Sequence, residues 1–260
     1  MSQPMHVLII DGATIFRQVF ERMPVDERRE RPEAVCHACV SSLARAVRDI
    51  NPTHALVITE KRQQSWRHQI HPPYQATRKE TPAQLIHASK FIRQKLDRAM
   101  LPVIYKDGIE ARDLIASMSH TLSLRSVQTT ILTTKAIYYQ LVNPSTRIYH
   151  HFKREYRDEA WLMERYGCTA NRFRDMLALS GYEADNIPGV RGVGYGIASK
   201  LLTEYGSLDA VFDNLDAIGG KRAEAIREQE GRIKMNQHLL TLRTEFSLGV
   251  KSSDICRAAA

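Results

Sequence analysis

The sequence predicts an α/β protein, with a mostly parallel central sheet flanked by helices and a helical C-terminal region. Three observations predict it. Short apolar runs at 6–10 (HVLII), 53–58 (THALVI), 102–105 (PVIY) and 127–133 (VQTTILT) read as buried strands of a parallel sheet. Helical spacing separates them, at 32–50, 82–99 and from Gly108 through Met118, and a strand–helix–strand order calls for right-handed crossovers. From about Asp158 onward the pattern is helical only.

In chain order, the first run ends at Asp11 and the second at Thr59-Glu60. The carboxyl ends of parallel strands are where α/β proteins place their chemistry. The stretch 61–82 (KRQQSWRHQIHPPYQATRKETP) differs, being polar, basic and proline-containing, with Trp66 and Tyr74 among Arg62, Arg67, Arg78 and Lys79. Interleaved cations and aromatics suit a single nucleic-acid strand; a solvated connection is the plainer reading. The helix at 82–99 has Leu85, Ile86, Phe91, Ile92 and Leu96 on one side. A helix is expected to begin at 138–142, a last strand or turn at 147–149, and the tail at 252–260 is expected to be loose.

The chain has 260 residues and a formal net charge of +8, which favours an anionic partner, nucleic acid first. It has no run of about 18 apolar residues, so no membrane span is expected. MSQPMHVLII leads into a strand without a basic targeting region, so a cytoplasmic protein is expected. Four cysteines do not make a disulfide framework at this length. Cys36-His37-Ala38-Cys39 lies in an amphipathic helical pattern, where packing is a better reading than metal or redox chemistry.

Two constellations carry chemistry. Asp11, Glu60, Glu110 and Asp113 all fall just after predicted strands, which a parallel sheet would bring to one edge. Clustered carboxylates hold hard Mg²⁺, which activates water; acids also cap helix N-termini, and for Asp113 alone that reading would win. The second constellation is GYEADNIPGVRGVGYGIASK, 181–200, a hairpin between helical patterns at 171–179 and 197–205. Gly189, Gly192, Gly194 and Gly196 permit tight turns and close approach of a ligand, and unpaired amides at a helix start attract phosphate. Arg191 and Lys200 add positive charge.

DNIPGVRGVGYGIASKLL resembles the helix–three-turn–helix of the 5′-nuclease superfamily, the flap endonucleases and 5′–3′ exonucleases, and is most similar to the short stand-alone bacterial Xni or exonuclease IX group. The resemblance implies a PIN-like 5′-nuclease core at 1–157, with an arch segment around 61–100. It implies a helical region at 158–260 carrying the DNA-binding hairpin at about 171–205. It also implies K⁺ on main-chain oxygens of Leu179, Ser180, Pro188, Val190 and Val193. Contacts to duplex DNA would come from Gly192, Val193, Gly194, Tyr195, Gly196 and Ile197, aided by Arg191 and Lys200.

The family's Tyr-Lys-x-x-Arg corresponds to Tyr74-Gln75-Ala76-Thr77-Arg78, which places Tyr74 and Arg78 at DNA and Arg78 in catalysis. Its Mg²⁺ ligands would be Asp11, Glu60, Glu110, Asp113 and Asp185.

Departures from the family lie on that metal side. Glu60 stands for an aspartate, Arg112 for an acid, Lys135 and Ile137 for two acids, Tyr182 for another and Gln75 for a lysine. One Mg²⁺ site at most is expected. A guanidinium at position 112 would repel the metal and pair with Glu110 or Asp113. Three functions compete. One is a weakened 5′–3′ exonuclease or flap endonuclease acting as a monomer on junctions or 5′ ends. Another is an inactive relative that binds such DNA, and the last is a protein scaffold.

Overall fold

The computed structural model describes residues 4–26, 31–61 and 63–256. Arg62 and residues 257–260 of the expected tail lie outside them. Six strands form one sheet in the order β3-β2-β1-β4-β5-β6, where β1 is His6–Asp11, β2 His54–Ile58, β3 Val103–Ile104, β4 Gln128–Thr133, β5 Thr146–His150 and β6 Glu155–Arg157. All neighbours pair in parallel except β5 and β6. Register sets Asp11 opposite Ile58 and Thr133 opposite His150, so the carboxyl ends of β1, β2, β4 and β5 share one edge.

Strand alternation divides the core into two layers. Val7, Ile9, Leu56, Ile58 and Ile131 face a layer that includes the Ala111–Ser123 helix and most of the C-terminal helices. Leu8, Ile10, Ala55, Val57 and Leu132 face helix Gly12–Arg22 and helices Pro32–Ile50 and Ala83–Arg98. Cys36 and Cys39 are buried, unpaired thiols in this second layer, and burial pushes the Cys39 thiol up to about 12.

Four local expectations change. The polar stretch after β2 contains a short helix, Trp66–Ile70, opened by a Ser65–His68 capping pair. The expected helix at 138–142 is a 3₁₀ segment, Ala136–Leu141. β6 returns antiparallel after a turn that the sequence reading lacked. Ser252–Ile255 is a short helix with Ile255 buried, and Cys256 bridges to His54, so the described part of the tail is docked rather than loose.

The hairpin packs between helices Ala170–Ser180 and Tyr195–Tyr205, with a two-stranded ladder of β7 (Gly181–Tyr182) and β8 (Ile187–Pro188) at its base. Two glycines are sterically required there. A Cβ on Gly189 would sit 2.2 Å from the Ser180 carbonyl, and one on Gly181, whose φ is +85°, would sit 2.4 Å from Gly189 N. Asn236 staples the same place, its amide donating to the Ala178 and Pro188 carbonyls at 3.1 and 2.8 Å. Gly189→Ala is therefore expected to cost about 3 kcal/mol, the upper range for overpacking against an unyielding neighbour. Denaturant unfolding checks this, and an unchanged midpoint would show that the two backbone segments part freely.

Candidate active site and hairpin

The carboxyl edge of the sheet gathers the acids, but each is held differently. Asp11 ends β1 and is fully buried; its Oδ1 accepts from Thr14 N at 3.2 Å, capping helix Gly12–Arg22, and its Oδ2 accepts from Thr133 Oγ1 at 2.9 Å. Glu60 follows β2, accepts from Ala111 N at 2.9 Å and pairs with Arg78 at 2.7 Å. Glu110 precedes helix Ala111–Ser123 and Asp113 lies in its first turn. Asp185 arrives from the hairpin side, in the 3₁₀ turn Glu183–Asp185.

Two guanidinium groups connect these carboxylates. Arg67 is wholly buried and uses every N–H it has. Its Nη1 donates to Glu110 Oε1 and Asp113 Oδ2, both at 2.8 Å. Its Nη2 donates to Asp113 Oδ1 at 2.8 Å and the Thr241 carbonyl at 2.6 Å, and its Nε to the Leu239 carbonyl at 2.8 Å. Arg112 forks onto Asp185 at 2.5 and 2.9 Å and sets its Nε 3.1 Å from Glu110 Oε2. The sequence expectation that Arg112 pairs with Glu110 holds, but Asp113 belongs to Arg67.

Neutral groups complete the network. Tyr74 donates to Glu110 Oε2 at 2.8 Å, and Gln75 donates to Asp185 Oδ1 at 3.0 Å while accepting from Arg78 at 3.0 Å. Trp66 Nε1 donates to Asp113 at 3.3 Å. Burial works against the Glu110 anion, yet Arg112 and Arg67 overcome it and bring its pKa down from 4.5 to about 2. The Asp185 carboxyl likewise lies below its ordinary value, since Arg112 outweighs desolvation. Glu60 is lowered against desolvation by Arg78 and then Lys135.

This geometry bears on two sequence expectations. Tyr74 is buried beneath Glu110, not offered to DNA; Trp66 is half-buried against His238, and Arg67 is interior. Of the cations expected on that loop, Arg78 stays partly exposed beside Glu60 and Lys79 is exposed. For the expected Mg²⁺, the donor set is already engaged. Glu60, Glu110, Asp113 and Asp185 each accept from a guanidinium. Among the described residues no group of three or more His, Cys, Asp or Glu side chains is arranged to hold a metal ion. The sequence reading missed Arg67 as a structural cation. Its available signal was Ser65 standing as an N-cap before Trp66, which marks a helix rather than an open loop.

At the hairpin, Gly192, Gly194 and Gly196 have open space where a Cβ would be. Gly194 has an ordinary φ of −86° at the N-cap of helix Tyr195–Tyr205 and Gly196 lies within that helix, so neither backbone conformation nor packing demands glycine at either position. An absent side chain there leaves the amides open to an outside group. Arg191, Tyr195 and Lys200 are exposed beside them, Ile197 is half-buried, and Val193 is buried. Of the carbonyls expected to hold K⁺, Leu179 accepts from Val190 N at 2.8 Å, Val190 from Val193 N at 3.0 Å and Pro188 from Asn236. Each oxygen keeps a second lone pair. Ser180 and Pro188 line one cavity of about 460 Å³.

Residues 6–167 match the family model of the 5′-3′ exonuclease N-terminal resolvase-like domain, and residues 168–260 that of the 5′-3′ exonuclease C-terminal SAM fold. The chain belongs to the 5′–3′ exonuclease family. A flap endonuclease Xni from Pectobacterium carotovorum subsp. carotovorum (strain PC1) is 29% identical over 247 residues, 94% of this chain and 92% of that protein. The bacteriophage T5 flap endonuclease, solved with DNA and metal ions, superposes with a TM-score of 0.77 at 19% identity, covering 92% of this chain and 90% of that one. The catalytic core of Rad2 in complex with DNA substrate gives 0.60 at 11% identity, covering 95% and 82%. At these identities the two structures establish the fold.

Within the family fold, the Arg67 network has a pH signature. A carboxyl lowered in the folded state contributes stability that is present above its unfolded pKa and lost as pH falls through the folded one. For Glu110 that window runs from its ordinary 4.5 down to about 2. Arg67→Ala should cost about 3–5 kcal/mol by leaving the buried Asp113 carboxylate without its cation, and should flatten the loss of stability across that window. Urea unfolding at pH 7, 4 and 2.5 measures both, and a variant as stable as the parent at pH 7 would show that the pairing is dispensable.

Proposed function

We propose that this protein binds DNA at junctions or 5′ ends through its hairpin, and that its phosphodiester cleavage is strongly reduced. The substrate class follows from family membership and from relatives named flap endonuclease, with T5 and Rad2 neighbours solved on DNA. The reduction rests on one observation, that Arg67 and Arg112 occupy the carboxylates that would hold a divalent ion. A guanidinium 4 Å from a divalent ion is repelled by about 8 kcal/mol at an effective dielectric near 20.

The residues that remain have distinct roles in this reading. The open amides at Gly192, Gly194 and Gly196, with Arg191 and Lys200, receive duplex phosphates. A K⁺ at the carbonyls of Leu179, Ser180, Pro188, Val190 and Val193 would add positive charge beside those amides. Arg78, partly exposed beside Glu60, would meet a strand entering the site in this reading. If a divalent ion is bound after the arginines swing away, Asp11, Glu60, Glu110 and Asp113 are the groups left to receive it, and it would supply activated water.

Duplex affinity should fall steeply with added salt, and Gly194→Asp should weaken it by setting a carboxylate beside a phosphate. An unchanged affinity would remove the hairpin from the interface. Binding should also be stronger in potassium than in lithium; equal affinity would argue against the ion. On 5′-flap DNA with Mg²⁺ or Mn²⁺, the Arg112→Asp, Gln75→Lys double variant should cleave at least about a thousandfold faster than the parent, a gain worth roughly 4 kcal/mol. Robust parental cleavage that disappears in Asp113→Asn would overturn the reading.

A further inference from the structure

We infer that DNA engagement at the carboxylate edge does not depend on divalent ions, because the protein carries its own counter-ions there, and that Lys135, outside any ion pair among the described residues, meets a DNA phosphate. This rests on the reading just given and extends it to how the junction is held. A cluster of uncompensated carboxylates repels the DNA backbone, so an acidic site ordinarily needs bound cations before a phosphodiester can approach. Here Glu60, Glu110, Asp113 and Asp185 are opposed by Arg67, Arg78 and Arg112, all within ion-pair distance. Only Asp11 lacks a cation among its described partners, and it is sealed in the interior by Thr14 and Thr133.

Lys135 differs from the three arginines. It follows the carboxyl end of β4, where its backbone N–H donates to Thr133 Oγ1, the same hydroxyl that donates to Asp11. Its side chain is half-exposed, and among the described residues no carboxylate lies within ion-pair distance of it. It is nonetheless near enough to Glu60 and Asp185 to favour both anions. With the arginines engaged by internal pairs, Lys135 is a positive charge at this edge able to bind an incoming phosphate, while Arg78 is held by Glu60 and Gln75.

Fluorescence anisotropy on a 5′-flap duplex and on a plain duplex, each in EDTA and in Mg²⁺, tests this. The parent should bind the flap equally in both buffers, within about twofold, a difference smaller than one charge-assisted contact. Lys135→Gln should weaken flap binding about tenfold, the loss expected for one charged hydrogen bond, and leave plain-duplex binding unchanged. Lys135→Arg should restore it. Arg112→Gln, verified as folded by circular dichroism, should make flap binding require Mg²⁺, since Asp185 loses its counter-ion and Glu110 one of its two. Parental flap affinity that drops about tenfold in EDTA, or Lys135→Gln binding the flap like the parent, would overturn the inference. Neither result bears on whether cleavage is lost. Brisk parental cleavage in the same buffers would instead overturn the proposed function, even if EDTA left affinity untouched.

Discussion

The arrangement of the site depends on one buried cation. Arg67 enters from the short helix after β2, neutralises Asp113 and Glu110 on the opposing helix, and satisfies the Leu239 and Thr241 carbonyls at the end of helix Glu230–Leu240. A guanidinium taken out of water is tolerated only when its charge and all of its N–H groups are matched. Arg67 meets both conditions, so its position is determined by three separate stretches of chain at once. Those stretches are in turn positioned by it. Asp113 also accepts from Arg243 N at 3.1 Å, which extends the tie to the segment after the last long helix.

Arg112 then extends the same logic toward the hairpin. It joins Glu110, at the sheet edge, to Asp185, in the turn just before β8. Gln75 repeats that link from the other side, its backbone N–H donating to the Asp185 carbonyl at 2.9 Å and its side chain to the Asp185 carboxylate. Gln75 holds a φ of +54°, a left-handed conformation uncommon for a residue other than glycine. A lysine at position 75 would add a charge to a network whose acids are already matched. With Arg112 present, a neutral hydrogen-bonding side chain at 75 leaves Asp185 satisfied without excess positive charge.

Much of this architecture was legible in the sequence, and the limits have physical causes. The strands at β1, β2 and β4 and the helix Pro32–Ile50 declare themselves because a strand buried on both faces is continuously apolar and an amphipathic helix is not. The acids at the sheet edge could be named because strand direction puts the residue after each apolar run there. The partner of each acid could not. Arg67 is separated by 46 residues from Asp113 and by 174 from Thr241, and it lies in a mostly polar stretch, so local pattern reads it as solvated. The short helix Trp66–Ile70 has one turn and too few apolar positions to show a period. β6 pairs antiparallel at the sheet margin with only Arg157 buried, and half-exposed edge strands carry a weak signal.

The hairpin glycines separate into two kinds, and the separation bears on how function can be retained. Gly181 and Gly189 are demanded by the fold, since any Cβ there collides with backbone. Gly192, Gly194 and Gly196 collide with nothing, and only Gly192, at φ +80°, has a conformational reason to be glycine. An open glycine at the start of a helix exposes unpaired amides, which is a property useful to an outside anion rather than to the protein's own stability. Those amides owe nothing to the charge state of Glu110, Asp113 or Asp185, because the first turn of helix Tyr195–Tyr205 is built from local backbone geometry with Ile197 and Ala198 bonding back to Gly194. The open amide surface is therefore set by local backbone rather than by the ion pairs of the carboxylate edge. A chain of this fold can pair the acids at its sheet edge with internal arginines, gaining charge balance, while the open amides of the hairpin keep their local geometry.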